Sequence, residues 1–167
     1  MNPALLVIDL QNEFFEENSP ALASLRSAVE YTNAAIGLFR KAGHPIVVIR
    51  DIESPGREPG KSAFLTHESV HVRPEDLHID KLHGNAFWQT DLEEELRSRS
   101  VNFVVLSGFC AEYCVLNTFR GARERGFDAA LLRGSLASPH EEHIRFVERT
   151  CEVISYGPLE AMLRKHP

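Results

Sequence analysis

Phe103-Val104-Val105-Leu106-Ser107-Gly108-Phe109-Cys110-Ala111-Glu112-Tyr113-Cys114 holds the clearest structural signal in the chain. Its first four residues form an unbroken apolar run of strand length. A run without polar alternation marks a strand covered on both faces, as in parallel sheets. Gly108 and a short loop follow, and then Val115, Phe119 and Ala122 recur at helical spacing up to Gly126. Strand, tight loop and helix in that order make half of a βαβ unit.

The same grammar extends in both directions. Residues 4–8, 46–49 and 129–132 are further apolar runs of strand length, and 153–154 is a weaker fifth. Helical patterns lie between them. Ser19-Pro20 reads as a helix start, with Leu22, Leu25, Val29, Ile36 and Phe39 on one face and Gly43 closing it. Asp91 opens a second helix that turns Leu92 and Leu96 inward. Ser138-Pro139-His140-Glu141 has the spacing of a capping box before Ile144 and Val147. A last short helix is expected near Pro158, using Leu159, Met162 and Leu163.

Alternating strands and helices predict an α/β fold. It is expected to be a three-layer α/β/α, Rossmann-like domain with right-handed crossovers, a mostly parallel sheet of five or six strands, and one unit spanning 1–167. Residues 51–80 break the rhythm, being interrupted by Pro55, Gly56, Pro59, Gly60 and Pro74. So long a connection after a strand's carboxyl end is expected to fold over a site there.

Composition narrows the function classes. The chain has 167 residues, 43% hydrophobic and 25% charged, which suits one ordinary globular domain with a real core. A net charge of -6 argues against a nucleic-acid partner. Cys110, Cys114 and Cys151 are too few to read as a disulfide framework. No basic segment leads into a cleavable apolar one, and no apolar run approaches the ~18 residues of a membrane span. A cytoplasmic protein with no membrane partner is the expectation.

Ligands of open α/β sheets bind beyond the carboxyl ends of the strands. The informative residues therefore follow each run: Asp9 with Gln11 and Phe14 after the first, Asp51 after the second, and the cysteine loop after Leu106. Cys114 falls in the first turn of a helix, where free N–H groups and the helix dipole favour a thiolate and can hold an oxyanion. Cys110, still in the loop, is the alternative reactive thiol. A lone Cys-x-x-x-Cys lacks the further ligands of a zinc site. Asp9 reads as a turn former or as a general base for a neighbouring thiol. Lys81, if desolvated, would hold a carboxylate or stabilise developing charge.

Three separated stretches together resemble the isochorismatase-like cysteine hydrolases. Asp9-Leu10-Gln11-Asn12-Glu13-Phe14 is similar to that family's Asp-x-Gln-x-x-Phe. Lys81-Leu82-His83-Gly84-Asn85-Ala86-Phe87 resembles its Lys-x-x-x-Ser-Ala-Phe. Residues 108–127 resemble its Gly-x-x-Thr-x-x-Cys-Val segment and the helix ending in Gly-Phe. The resemblance implies a triad of Asp9, Lys81 and Cys114, with oxyanion donors from the backbone N–H groups of Ala111 and Cys114. It also implies a cis peptide at Cys110–Ala111.

The implied activity is hydrolysis of an amide, ureide or carbamoyl C–N bond of a small metabolite through an acyl-enzyme on Cys114. No cofactor is implied, and a homo-oligomer, dimer or larger, is. The pocket wall is expected from Gln11, Phe14, Phe87 and Tyr113, with Trp88 and Phe119 nearby in sequence. Two positions depart from the family pattern: Ala111 replaces its Thr and Asn85 its Ser. The Asp-x-His of nicotinamidases is replaced by Asp51-Ile52-Glu53. This sets aside nicotinamide and a resident metal, although Asp51, Glu53, His67 and His71 remain an N/O donor set, the two histidines at i and i+4 if helical. Ala111 also supports an alternative, a non-catalytic ligand-binding or assembly member of the same fold.

Overall fold

A computed structural model describes residues 1–53 and 59–164. Six strands form one sheet: β1 Pro3–Ile8, β2 Ile46–Asp51, β3 Leu77–Lys81, β4 Phe103–Phe109, β5 Asp128–Ala137 and β6 Val153–Ile154. Five helices connect or flank them: α1 Leu22–Ala42, α2 Leu92–Ser98, α3 Leu116–Glu124, α4 Glu141–Thr150 and α5 Tyr156–Leu163. The strand order is β3-β2-β1-β4-β5-β6, and every pairing is parallel.

Side chains alternate across the central strands and so build two apolar layers. Ala4, Leu6 and Ile8 of β1 join Leu92, Leu96, Phe119, Ala122 and Val147, from α2, α3 and α4. Leu5 and Val7 join Leu25, Ala28, Ile36, Phe39, Leu159 and Leu163, from α1 and α5. The result is the three-layer α/β/α arrangement. Each fully buried Leu, Ile or Phe contributes roughly 1.5–3 kcal/mol of hydrophobic stabilisation.

Several expectations need correction. The six-stranded parallel sheet is as expected, but strand β3 falls inside the stretch read as an irregular connection. The reason is that β3 is an edge strand: only Ile79 and Lys81 are buried, so no continuous apolar run marks it. Of the expected cover over the site, residues 54–58 lie outside the described residues. Farther along, a short 3-10 turn, Ser62–Phe64, leads to a bridge between Thr66 and Gln11. Helix α1 begins at Leu22 rather than Pro20, because the Ser19 carbonyl closes a turn onto the Leu22 amide at 3.1 Å. The capping box at Ser138 does not form. Ser138 Oγ accepts from the His140 amide at 3.1 Å and turns its own proton to Glu112.

The order of strands positions the site. From β1 the chain builds β2 and β3 on one side, then crosses to β4 on the other. The switch point is therefore the gap between β1 and β4, and the crevice opens at their carboxyl ends, where Asp9 and the 110–114 loop lie. Among the described residues, no helix is long and apolar enough to cross a membrane.

Candidate active site

Three strand ends supply the site. Asp9 follows β1, Lys81 closes β3, and Cys114 stands in a π-helical turn, Ala111–Val115, after β4. Strand β2 lies between β1 and β3, and its last residue, Asp51, is the register partner of Lys81. The Lys81 Nζ is 2.9 Å from Asp9 Oδ2, 3.4 Å from Cys114 Sγ and 3.8 Å from Asp51 Oδ2. Lys81 and Asp9 are each 1% exposed, so these charges meet with little screening by water. The other carboxylate oxygen, Asp9 Oδ1, is buried with no hydrogen-bond partner. The Asp9 carboxylate and the Cys114 thiol are close enough for each to shift the other's proton affinity.

Backbone geometry brings the two central strand ends together. Asp9 has φ 51, a left-handed conformation that Asp tolerates better than most residues and that turns the chain out of β1. Gly108 has φ +122, and a Cβ there would lie 2.0 Å from the Ile8 carbonyl oxygen. Only glycine lets β4 run so close to β1. The cis peptide is Phe109–Cys110, one bond earlier than the motif implied. The Cys110 carbonyl already accepts the Tyr113 and Val115 amides at 3.0 and 3.2 Å, so the Cys110–Ala111 peptide is the entry to the turn.

Protonation follows from burial. Burial pushes the Asp9 carboxyl up to about 6, against the pull of the Lys81 ammonium. For Lys81 burial acts downward, but Asp9, Cys114 and Asp51 outweigh it, and the ammonium is held more firmly than in water. Burial and the Asp9 anion push the Cys114 thiol up to about 12, with Lys81 opposing them. Near neutral pH the resting site is carboxylate, ammonium and thiol. Cys110 is pushed up by burial and by Glu112, which accepts its thiol proton at 3.0 Å. That thiol is committed to a structural bond, which argues against it as the reactive one. All three cysteines are free thiols.

A resident metal does not fit. Among the described residues, the one group of His, Cys, Asp and Glu whose ligand atoms converge is Asp9, Asp51 and Cys114, within 4.8 Å of one another. The Lys81 ammonium is within 4 Å of all three and already supplies the cation. His67 and His71 are not on a helix. His67 Nδ1 lies 2.8 Å from Ser69 Oγ and its ring stacks on Phe15 at 4.0 Å, while His71 is exposed.

The expected pocket wall is brought together only in part. Phe14 is half-buried with its ring 4.7 Å from that of Phe109, and Tyr113 is 64% exposed, so both can face a ligand. Gln11 cannot. Its amide is fully buried and spent on backbone, donating to the Asp51 and Phe64 carbonyls at 3.0 Å each and accepting the Asp51 amide at 2.8 Å. It ties β1 to the end of β2. Phe87 is 4% exposed in the core beside Phe127, which removes it from the wall, and Phe119 is buried with it.

The two departures from the motif have local explanations. Ala111 is fully buried in the apolar layer, where its methyl suits the surroundings. Asn85 Oδ1 accepts the Phe87 amide at 2.9 Å, and the side chain fits only because α3 carries Gly121 opposite. A Cβ on residue 121 would lie 2.4 Å from Asn85 Oδ1. Thr118 Oγ1 accepts the Ala86 amide at 3.0 Å, so the segment after Lys81 is fastened to the helix that follows Cys114. The closeness of Asp51 was missed because unrecognised β3 hid its pairing with Lys81.

Comparison with known proteins agrees with this architecture. The isochorismatase domain family matches residues 3–152. An uncharacterized isochorismatase family protein of Bacillus subtilis, YddQ, is 29% identical over 142 residues, 83% of this chain and 79% of that protein. The structure of an isochorismatase-like hydrolase from Alkaliphilus metalliredigens superposes with a TM-score of 0.87 at 20% identity, covering 98% of this chain and 100% of that one. A nicotinamidase from Bacillus subtilis superposes with a TM-score of 0.78 at 25% identity, covering 88% and 92%.

Proposed function

The chain belongs to the isochorismatase family, and on that premise we propose that it is a cysteine hydrolase. Its reaction is cleavage of an amide, ureide or carbamoyl C–N bond of a small metabolite through an acyl-enzyme on Cys114. The observation that carries this reading is the Lys81 ammonium lodged between Asp9 Oδ2 at 2.9 Å and Cys114 Sγ at 3.4 Å.

In this reading Asp9 takes the thiol proton as Sγ attacks the carbonyl carbon. Lys81 stabilises the sulfur's charge while the proton moves. The carbonyl electron pair becomes an oxyanion that accepts from the Ala111 and Cys114 amides, in the turn that opens the helical segment after β4. The C–N bond breaks, and Asp9 returns its proton to the departing nitrogen. Water then gives a proton to Asp9 and attacks the thioester; the C–S bond breaks, and the thiolate recovers its proton as the acid leaves. Phe14 and Tyr113 flank the substrate.

Screening small amides, ureides and carbamoyl compounds for ammonia release tests the reading. Wild-type protein should turn over at least one class, and Cys114→Ser should lose at least about 10⁴-fold, the scale of removing a nucleophile. If the two proteins release ammonia equally slowly throughout, the pocket has a binding role and the hydrolase reading ends. The acid limb of the rate should also report Asp9. A general base works only when deprotonated, so kcat/KM should fall as pH drops through about 6. A rate flat from pH 5 to pH 8 would remove Asp9 from that role.

A further inference from the structure

Glu112 lies within the turn that carries Cys114, yet the chemistry above gives it no part. Its side chain is only 14% exposed, and it accepts from three different segments. The Cys110 thiol donates to Oε2 at 3.0 Å; the Ser138 hydroxyl donates to Oε1 at 3.1 Å; His143 Nδ1 lies 2.6 Å from Oε1. Ser138 follows β5, and His143 is on α4. The chain extends further, because Ser138 Oγ accepts the His140 amide at 3.1 Å and the Ser138 amide donates to Ser24 Oγ, on α1, at 3.2 Å. Burial alone would push the Glu112 carboxyl up, but Cys110 and the other donors outweigh it and hold it below the usual range.

We propose that Glu112 is a positioning residue for the hydrolase reaction. Its carboxylate fastens the Ala111–Val115 turn to the β5–α4 connection, so that the Ala111 and Cys114 amides point at the developing oxyanion. This rests on the hydrolase reading given above. Two features assign Glu112 to the amides rather than to the sulfur's reactivity. Its charge is engaged by Cys110, Ser138 and His143, and the charged groups that act on the Cys114 thiol are Asp9 and Lys81, not Glu112. And Cys110, the thiol it holds, is the residue whose carbonyl accepts the Tyr113 and Val115 amides, so Glu112 and the turn's own hydrogen bonds grip one residue from both ends.

The test separates two reactions of one sulfur. Alkylation by iodoacetamide is a displacement at carbon that forms no oxyanion. Amide hydrolysis needs the oxyanion donors, and misplacing one costs on the order of 10²-fold. Glu112→Ala should therefore lower kcat for ammonia release by about 30- to 100-fold with KM within about 3-fold, while Cys114 alkylation stays within about 3-fold. Glu112→Gln, which keeps the shape and one acceptor, should recover most of the turnover. Should Glu112→Ala fail to fold, Ser138→Ala and His143→Ala each remove one donor and should give the same split at smaller amplitude. Turnover equal to wild type in these variants, or turnover and alkylation falling in step, overturns the role of Glu112. If wild-type protein and Cys114→Ser are alike in releasing no ammonia, the hydrolase reading itself has failed and this role goes with it.

Discussion

Asp9→Asn is expected to lose about 10²- to 10⁴-fold in turnover, the contribution of a positioned general base, while Cys114 still reacts with iodoacetamide. The two readouts separate because Asp9 has opposite effects on them. As a base it is indispensable to proton transfer. As an anion beside the thiol it raises that thiol's proton affinity, second only to burial. Removing the charge lowers the thiol pKa and leaves Lys81 beside the sulfur, so alkylation at pH 8 should hold or rise. Stability should change little. Burial disfavours the ionised Asp9 carboxylate in the fold, a desolvation cost of several kcal/mol that neutral asparagine does not carry. Against this, Lys81 loses its partner at 2.9 Å and keeps Asp51 at 3.8 Å. Stripping one member from a buried pair costs about 3–5 kcal/mol, so the two effects are of similar size and opposite sign. Turnover within about 3-fold of wild type, or alkylation that falls as far as turnover, would show that Asp9 is structural.

How much of this was legible beforehand depended on burial. Strands β1, β2 and β4 are covered on both faces and announce themselves as unbroken apolar runs. Edge strand β3 has Asp80 exposed between buried Ile79 and Lys81, so its sequence resembles a loop. Missing it hid the register that sets Lys81 beside Asp51. Asp9 and Cys114 could be picked out because each follows an apolar strand run, whereas Lys81 stood out only through its resemblance to the family motif. Their separation in space could not be picked out, since it depends on strand order and on two unusual backbone positions, Asp9 and Gly108. Gln11 and Phe87 carry the right chemistry for a pocket wall, but sequence proximity to a motif does not say which way a side chain turns. Both turn inward, one to satisfy backbone and the other to fill the core. The meeting of Glu112, Ser138 and His143 was not legible, because it joins residues 26 and 31 positions apart across two elements, and Ser138 reads instead as a helix cap.

Gly108→Ala should be the most disruptive added methyl among the described glycines. The added carbon would sit 2.0 Å from the Ile8 carbonyl oxygen and 2.8 Å from Ile8 C and N, all backbone atoms of a central strand. A flexible side chain could swing aside; a strand paired on both edges cannot. The backbone at 108 also holds φ +122, a conformation open to glycine and strained for alanine. Clash and strain act together, and a loss of at least about 3 kcal/mol is expected, visible as a lower denaturant midpoint with an unchanged slope. The function should suffer more than the fold. Relief requires the end of β4 to move off β1, and Asp9 and Cys110 are attached to those two ends. A shift of about 1 Å in such a site costs on the order of 10²-fold in rate, so turnover should fall by that order at temperatures where the far-UV spectrum is still native. Gly126→Ala is the matched control. It too replaces a positive-φ glycine, at φ +80, but nothing lies within 4 Å of its Cβ and it stands between α3 and the start of β5, at the amino ends of the strands rather than the carboxyl ends. If both variants lose the same stability and neither loses turnover disproportionately, the close approach of β1 and β4 is not what aligns Asp9 with Cys114.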